Sequence, residues 1–156
     1  MGKEIERKFL VDHSLWNKVE KPVGRHFRQG YILVDPNKTI RVRTTDTKAW
    51  LTIKGITVGA SRLEYEYEIP LNEGTELLDN FAEAELEKTR YEITHEGKLW
   101  EVDVFEGDNN GLVMAEIELE TETESFKTPH WINKEVTEDK KYYNSNLTKN
   151  PFKDWI

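Results

Sequence analysis

The feature that most constrains this chain is a two-residue alternation of charged and apolar side chains that recurs along most of its length. At the N-terminus, Glu4, Glu6 and Lys8 fall on one face of a strand, because successive side chains point to opposite sides. Residues 62–69 alternate more regularly still, with arginine or glutamate at every even position and leucine, tyrosine or isoleucine at every odd one. A period of two predicts β-strands rather than amphipathic helices in these stretches.

The same alternation predicts about eight strands separated by short loops and turn residues. They cover residues 4–11, 27–34, 39–44, 49–54, 62–70, 86–93, 99–105 and 112–120. Asp12 predicts the cap of a short helix after the first strand, and apolar residues at helical spacing predict a helix over 75–86. Because antiparallel strands close most simply into a barrel without exposed edges, we predict a mainly β (α+β) fold: an eight-stranded antiparallel closed barrel with a few flanking helices.

The charged face of these strands is segregated by sign from strand to strand. Its acidic residues are Glu4, Glu6, Glu64, Glu66, Glu68, Glu101, Asp103, Glu116, Glu118 and Glu120, and its basic residues are Lys8, Arg41, Arg43, Lys54, Arg62, Lys88 and Arg90. A solvated outer face with weak ion pairs explains any one strand, but solubility alone favours interspersed signs. The opposite face carries bulky aromatics such as Trp100, Tyr65 and Tyr67, which we expect outside, packed under helices. The charged face is therefore predicted to line a wet tunnel.

A tunnel lined in this way predicts the chemistry of its ligand. Crowded carboxylates favour a hard divalent cation such as Mg²⁺ or Mn²⁺, and clustered arginine and lysine favour phosphate oxygens. A phosphate chain bridged by metal ions satisfies both sets. The net charge of −8 argues against binding of bulk nucleic acid, and the absence of cysteine excludes thiolate ligands and a cysteine nucleophile. No apolar run is long enough to cross a bilayer, so we expect a cytoplasmic protein.

The order of the charged residues resembles that of the CYTH superfamily, also called triphosphate tunnel metalloenzymes. Residues 4–8 read Glu-Ile-Glu-Arg-Lys and are similar to the ExExK signature of that family. The rest of the pattern follows in the family's order as Arg41-x-Arg43, Lys54, Arg62-x-Glu64-x-Glu66, Lys88-x-Arg90, Asp103 and Glu116-x-Glu118. The ExExK motif alone is weak, but its recurrence with the further charged strands over nearly all of residues 1–120 is strong.

The resemblance implies a single CYTH-like tunnel domain over residues 1–156, with a helical C-terminal segment (about 130–156) that closes one end as in compact bacterial members. It also implies binding of a triphosphate together with two Mg²⁺ or Mn²⁺ ions. The implied metal ligands are Glu4, Glu6, Glu64, Glu66, Asp103, Glu116 and Glu118. The implied phosphate-binding residues are Lys8, Arg41, Arg43, Lys54, Arg62, Lys88 and Arg90, and the implied catalytic residues are Glu4, Glu6, Lys8 and Lys54.

Members of this family hydrolyse inorganic tripolyphosphate, thiamine triphosphate or RNA 5′-triphosphate ends, or cyclise ATP. Trp50 and Tyr31 could stack on a base, but such aromatics more often serve packing. We therefore expect metal-dependent hydrolysis of inorganic tripolyphosphate to pyrophosphate and phosphate. An adenylate cyclase, a thiamine triphosphatase and a binding module for polyphosphate or nucleotides remain alternatives. The expected partner is a small-molecule triphosphate, with no membrane, and a homodimer is one option for an oligomeric state that the sequence leaves open.

Overall fold

The structure, a computed structural model, describes residues 2–155 and consists mainly of antiparallel strands. The strands are β1 (Lys3–Val11), β2 (Arg25–Asp35), β3 (Lys38–Thr44), β4 (Ala49–Gly55), β5 (Ser61–Ile69), β6 (Ala84–His95), β7 (Lys98–Phe105), β8 (Val113–Glu118) and β9 (Ile132–Glu135). The helices are α1 (His13–Trp16), α2 (Leu71–Phe81) and α3 (Asn144–Lys149), with 3-10 turns at Gly107–Asn109, Lys140–Tyr142 and Phe152–Asp154. Within this part of the chain, no helix has the length and apolarity needed to traverse a lipid bilayer.

Eight of the strands form a closed barrel in the order β1, β5, β4, β3, β2, β6, β7, β8. Strand β1 closes it, because residues 3–5 pair with β5 and residues 6–10 pair with β8, both antiparallel. This register sets Glu4 opposite Arg62 and Glu6 opposite Glu118. The predicted eight-stranded antiparallel barrel is thereby confirmed. Strand β9, which was not predicted, pairs with the end of β1 outside the set of eight.

Local sequence features mark where helices α1 and α2 begin. Asp12 caps α1, since its side chain accepts a hydrogen bond from the backbone N–H of Leu15 at 3.0 Å. The predicted helix over 75–86 is wrong at both ends, because α2 starts at Leu71, directly after Pro70, and β6 already begins at Ala84. Leu86 fits a helical and a strand pattern equally well. Its buried place on the inner face of the sheet decides for the strand.

Helix α2 lies close against the barrel because of a glycine. A Cβ atom on Gly74 would lie 2.4 Å from the Cβ of Ala49 in β4, a distance at which the two backbones would have to separate. Leu78, which is 1% exposed, fills the space beside this contact. The side of the barrel formed by β2, β3 and β4 is therefore covered by a helix in near contact with the sheet.

The main hydrophobic core lies outside the barrel, as expected if the charged face points inward. Trp100 and Ile117, both fully buried on the outer face, pack with Trp16 of α1 and with Trp131. Burial of large apolar side chains of this kind contributes about 1.5–3 kcal/mol each. Tyr65 and Tyr67 also point outward but remain 47% and 56% exposed, so the expectation that helices cover them is wrong.

A second apolar cluster fills one end of the barrel from within. Leu86, Phe105 and Met114 are each two residues from a charged residue of the inner face, and they pack with Leu147 of α3, which is fully buried. The segment predicted to be helical at about 130–156 thus contains α3, but also β9 and two 3-10 turns. Through Leu147, the C-terminal segment packs inside one end of the barrel as well as on the exterior of the barrel.

Candidate active site

The barrel encloses a cavity of about 220 Å³ whose lining carries equal numbers of acidic and basic side chains. The seven acidic residues are Glu4, Glu6, Glu64, Glu66, Glu101, Glu116 and Glu118, and the seven basic residues are Lys8, Arg41, Arg43, Lys54, Arg62, Lys88 and Arg90. The predicted charged interior is therefore confirmed. Every residue predicted for the site lies in this lining except Asp103, which is 2% exposed and lies directly behind it.

The two signs occupy opposite sides of the tunnel. The acidic residues come from β7, β8, β1 and β5, which are neighbours in the barrel, and we call this side the acidic wall. Arg41 and Arg43 of β3, Lys54 of β4, and Lys88 and Arg90 of β6 form the basic wall, with β2 between them. The remaining cations, Lys8 and Arg62, stand on strands of the acidic wall. A ligand in the tunnel therefore meets negative groups on one side and positive groups on the other.

The acidic wall holds more carboxylate than its own cations neutralise. Arg62 donates to Glu4 at 3.0 Å and lies 3.5 Å from Glu6. Burial, together with the charges of Glu116 and Glu4, nevertheless raises the pKa of Glu6 to about 7. Burial and the same kind of repulsion also raise the pKa values of Glu4 and Glu118. Negative charge on this wall is destabilised, and a cation bound there would relieve it.

The deepest part of the site is a buried network around Arg90. Its guanidinium donates to Asp103 at 2.7 and 2.9 Å, to Glu101 at 3.0 Å and to Glu116 at 3.0 Å. Lys88 donates to the second oxygen of Asp103 at 2.8 Å. Burial raises the pKa of Asp103, but Arg90 and Lys88 outweigh it and hold the value below its usual range. Both oxygens of Asp103 are therefore engaged by cations, which explains why this carboxylate does not reach the cavity.

The basic wall carries hydrogen-bond donors without acceptors. Within residues 2–155, the Nε atoms of Arg41 and Arg43 are buried and have no partner. Burial, reinforced by neighbouring arginines, lowers the pKa of Lys54 to about 8, and burial lowers that of Lys88 to about 7. An anion in the tunnel would satisfy the free donors and favour the charged forms of both lysines.

The carboxylates are chemically suited to divalent cations, although they are not arranged as a complete coordination site. In the described part of the chain, no group of three or more histidine, aspartate or glutamate side chains stands close enough to hold an ion as it is. Instead, Glu4 accepts a hydrogen bond from Arg62 and forms an ion pair with Lys54 at 3.8 Å, and Glu116 forms an ion pair with Lys8 at 3.5 Å. Within residues 2–155, one oxygen of Glu64 is buried without a hydrogen-bond partner, 3.9 Å from Nζ of Lys54, and all the candidate ligands are carboxylate oxygens. This donor set fits Mg²⁺ or Mn²⁺.

The C-terminal tail supplies site residues that the sequence did not reveal. Tyr143, Asn144 and Ser145 line the tunnel beside the basic wall. The side-chain oxygen of Asn144 accepts hydrogen bonds from Lys88 and from Gln29, both at 3.1 Å. Inward placement of Gln29 follows from the alternation of β2, but nothing in the irregular tail marks Asn144. Lys140 and Lys141, which precede these residues, are exposed and lie outside the lining.

A closed antiparallel barrel whose tunnel has one acidic and one basic wall defines a class of proteins that bind small polyanions together with cations. Comparison with known proteins agrees with this class and identifies a family within it. The family model described as the CYTH domain matches residues 2–151. The chain belongs to the CYTH family, as the resemblance of its charged motifs indicated.

Relatives of known name are similar over nearly the whole chain. The chain is 52% identical over 156 residues to an inorganic triphosphatase of Acetivibrio thermocellus, covering 99% of each protein. It is 38% identical over 153 residues to an inorganic triphosphatase of Nitrosomonas europaea, covering 92% of this chain and 95% of that one. A crystal structure of an inorganic triphosphatase superposes with a TM-score of 0.65 at 34% identity, covering 93% and 97% of the two chains.

Proposed function

We propose that this protein is a divalent-metal-dependent inorganic triphosphatase that hydrolyses tripolyphosphate to pyrophosphate and phosphate. The observation that carries the proposal is the tunnel lining of seven carboxylates and seven cations, in which buried donors and a buried acceptor have no hydrogen-bond partner within residues 2–155. Since the lining is balanced, a bound polyanion requires accompanying cations, and a metal–triphosphate complex supplies both. The names of the two relatives described above support the same reaction.

The basic residues bind and orient the phosphate chain. Arg41 and Arg43 line the cavity from β3, and Lys88 and Arg90 line it from β6. Hydrolysis of a terminal phosphoryl group spreads negative charge over its oxygens in the transition state, so positioning and electrostatic stabilisation supply most of the catalysis. We assign Lys54 and Lys8 to this role at the reacting phosphate. Lys54, with a pKa of about 8, gains its charge fully when an anion binds beside it.

The acidic wall would hold the metal ions, Mg²⁺ or Mn²⁺ and two in number. Glu4, Glu6 and Glu118 would supply one ligand set, and Glu116 with Asp103 would contribute to a second, with Glu64 and Glu66 as further carboxylates of the same wall. When bound, a divalent ion polarises phosphoryl oxygens and lowers the pKa of water beside it. Both oxygens of Asp103 are bound by Arg90 and Lys88, so Asp103 would have to release one of them to act as a metal ligand.

An adenylate cyclase is the alternative within the same fold, and it needs a pocket for the base. Trp50, one of the two aromatics considered for such stacking, does not line the cavity and packs instead on Arg43. Tyr31 does line the cavity. A binding module without turnover would need only the basic wall, so the acidic wall favours an enzyme.

One experiment separates these functions. The protein is incubated with tripolyphosphate, ATP or thiamine triphosphate in the presence of Mg²⁺ or Mn²⁺, and released phosphate and cyclic AMP are measured separately. We expect rapid phosphate release from tripolyphosphate, abolished by chelation of the metal, and no cyclic AMP. Cyclic AMP from ATP as the main product would establish the cyclase, and binding of tripolyphosphate without turnover would establish the binding module.

A further inference from the structure

Phe27 places an apolar ring on the charged inner face of β2. It lies two residues before Gln29 and four before Tyr31, which lines the tunnel, and it is opposite Lys88 in the register with β6. The side chain is 3% exposed. Phe27 does not belong to the apolar cluster at the end of the barrel, so its place beside the basic wall needs another explanation, and its neighbours provide one.

Three guanidinium groups lie around the Phe27 ring. The Cζ atom of Arg43 is 4.8 Å from its centroid, that of Arg90 is 5.7 Å away and that of Arg25 is 5.8 Å away. The ring of Trp50 is 6.4 Å from that of Phe27 and 5.3 Å from the Arg43 guanidinium. These distances are within the range in which the negative face of an aromatic ring attracts a cation.

The rings lie behind the guanidinium groups as seen from the cavity. Arg43 and Arg90 line the tunnel, whereas Phe27 and Trp50 do not. Aromatic faces neither donate nor accept conventional hydrogen bonds. Contact with them therefore holds a guanidinium in place without occupying its N–H donors.

Arg43 depends on this support far more than Arg90 does. Arg90 is bound by three carboxylates at 2.7–3.0 Å. Within residues 2–155, Glu66 is the only carboxylate within ion-pair distance of Arg43, at 3.4 Å, and it is shared with Arg41 at 3.3 Å. The buried Nε of Arg43 has no partner in the same part of the chain. The position of this side chain is thus fixed by rings more than by charge.

We propose that Phe27 and Trp50 are positioning residues for substrate binding: their rings fix the Arg43 guanidinium at the tunnel wall and leave its N–H donors free for phosphate oxygens. This inference rests on the proposed triphosphatase function. It also assigns a role to Trp50 that excludes stacking on a nucleotide base. Because the rings act through Arg43, their removal weakens tripolyphosphate binding and leaves the chemical step largely intact.

The test compares Phe27→Leu with Phe9→Leu, a matched loss of a buried ring that packs in the outer core. We expect Phe27→Leu to raise KM for tripolyphosphate about tenfold, with kcat changed less than about twofold. Phe9→Leu leaves KM unchanged while lowering thermal stability to a similar extent. Trp50→Leu raises KM in the same direction, and Trp50→Phe, which keeps a ring, restores most of the affinity.

A double-mutant cycle with Arg43→Gln tests whether the rings act through the guanidinium. In the Arg43→Gln background, Phe27→Leu should raise KM no further. An unchanged KM in folded Phe27→Leu and Trp50→Leu, or full additivity with Arg43→Gln, would overturn the inference. Calorimetric titration with tripolyphosphate provides the same comparison without turnover. If the wild-type protein binds tripolyphosphate without hydrolysing it, the proposed function is rejected. Calorimetric titration of the variants then still tests the role of the rings.

Discussion

The acidic and basic walls of the tunnel are built from the same strand pattern but differ in how their charges are compensated. On the acidic wall, Lys8 and Arg62 are embedded among the carboxylates and pair with several of them. On the basic wall, the described residues that line the tunnel include no carboxylate, and Arg41 and Arg43 reach across to a single oxygen of Glu66. The acidic wall still carries carboxylates of raised pKa, so embedded cations reduce its repulsion without removing it.

This difference indicates that the charges of each wall are neutralised by a ligand of the opposite sign. Buried charges are expensive unless they are paired and hydrogen-bonded. Cations from solution can complete the acidic wall, and an anion with many oxygens can complete the basic wall. Neither ligand alone matches the tunnel as well as both together, which is the physical basis for a reaction that uses a metal–triphosphate complex.

The largest expected effect comes from breaking the acidic wall. Glu6→Ala should lower metal-dependent tripolyphosphate turnover by roughly 100-fold, because it removes a ligand where carboxylates are already crowded. Glu68→Ala is the matched control: Glu68 follows Glu66 on the same face of β5, but its side chain is 59% exposed and pairs with Lys48. Full turnover in Glu6→Ala would refute the metal-site assignment.

Breaking the basic wall should act mainly on binding. Arg41→Ala removes charge-assisted hydrogen bonds to phosphate and should raise KM by roughly 10- to 100-fold. Steady-state kinetics with tripolyphosphate measures this, with Arg28→Ala as control, since Arg28 pairs with Glu85 and Asp79 on the outside of the barrel. A fall in kcat at constant KM would instead show that Arg41 acts chiefly in the transition state.

The repulsion on the acidic wall should also appear in the stability of the metal-free protein. The pKa of Glu6 rises from 4.5 to about 7 on folding, so between these values the folded state holds a proton that the unfolded state has lost. Stability therefore falls as pH rises through this window. Glu6→Gln removes the penalty and should stabilise the metal-free protein by about 2–3 kcal/mol at pH 8.

Urea unfolding with a chelator present, at about pH 4.5 and at pH 8, measures that difference. The gain from Glu6→Gln should be much smaller at the lower pH, where the wild-type carboxyl is protonated in the folded state and about half protonated in the unfolded state. A variant that is less stable than wild type at pH 8 would contradict the account of the acidic wall as a site of uncompensated charge.

The smallest expected effect concerns the junction of the basic wall with the tail. Asn144→Ala leaves Lys88 and Gln29 without their shared acceptor, which should lower stability by about 1–2 kcal/mol. Lys149→Ala, an exposed change on the same helix, is the control and should be neutral. Equal stability of the two variants in denaturant unfolding would show that solvent replaces the lost acceptor.

The alternation of side chains was enough to predict the barrel and the direction of its charged face. A strand with opposed environments on its two faces leaves a period-two record, and β3, predicted at 39–44, is found at Lys38–Thr44. The helix over 75–86 failed because Ala84 and Leu86 fit either period, and only burial inside the barrel separates the two. The charged face followed from the same alternation, whereas the roles predicted for its residues came from their resemblance to the CYTH family.

The rest of the site depends on contacts that no local pattern records. Asn144 enters the tunnel because an irregular tail folds back over one end of the barrel, and its partners are 56 and 115 residues away. Phe27 and Trp50 look like ordinary packing residues in the sequence. Their significance lies in which guanidinium they touch, and that is a property of the folded barrel.

The equal numbers of cations and carboxylates in the tunnel also bear on how the substrate arrives. Since the formal charges of the lining cancel, the net charge of −8 resides on the remainder of the protein. An approaching polyanion is repelled by this charge once it comes within about one Debye length, about 8 Å at physiological salt, because the repulsion is screened at larger distances. The association rate should therefore increase with ionic strength, opposite to the behaviour of enzymes that steer anions with a positive exterior.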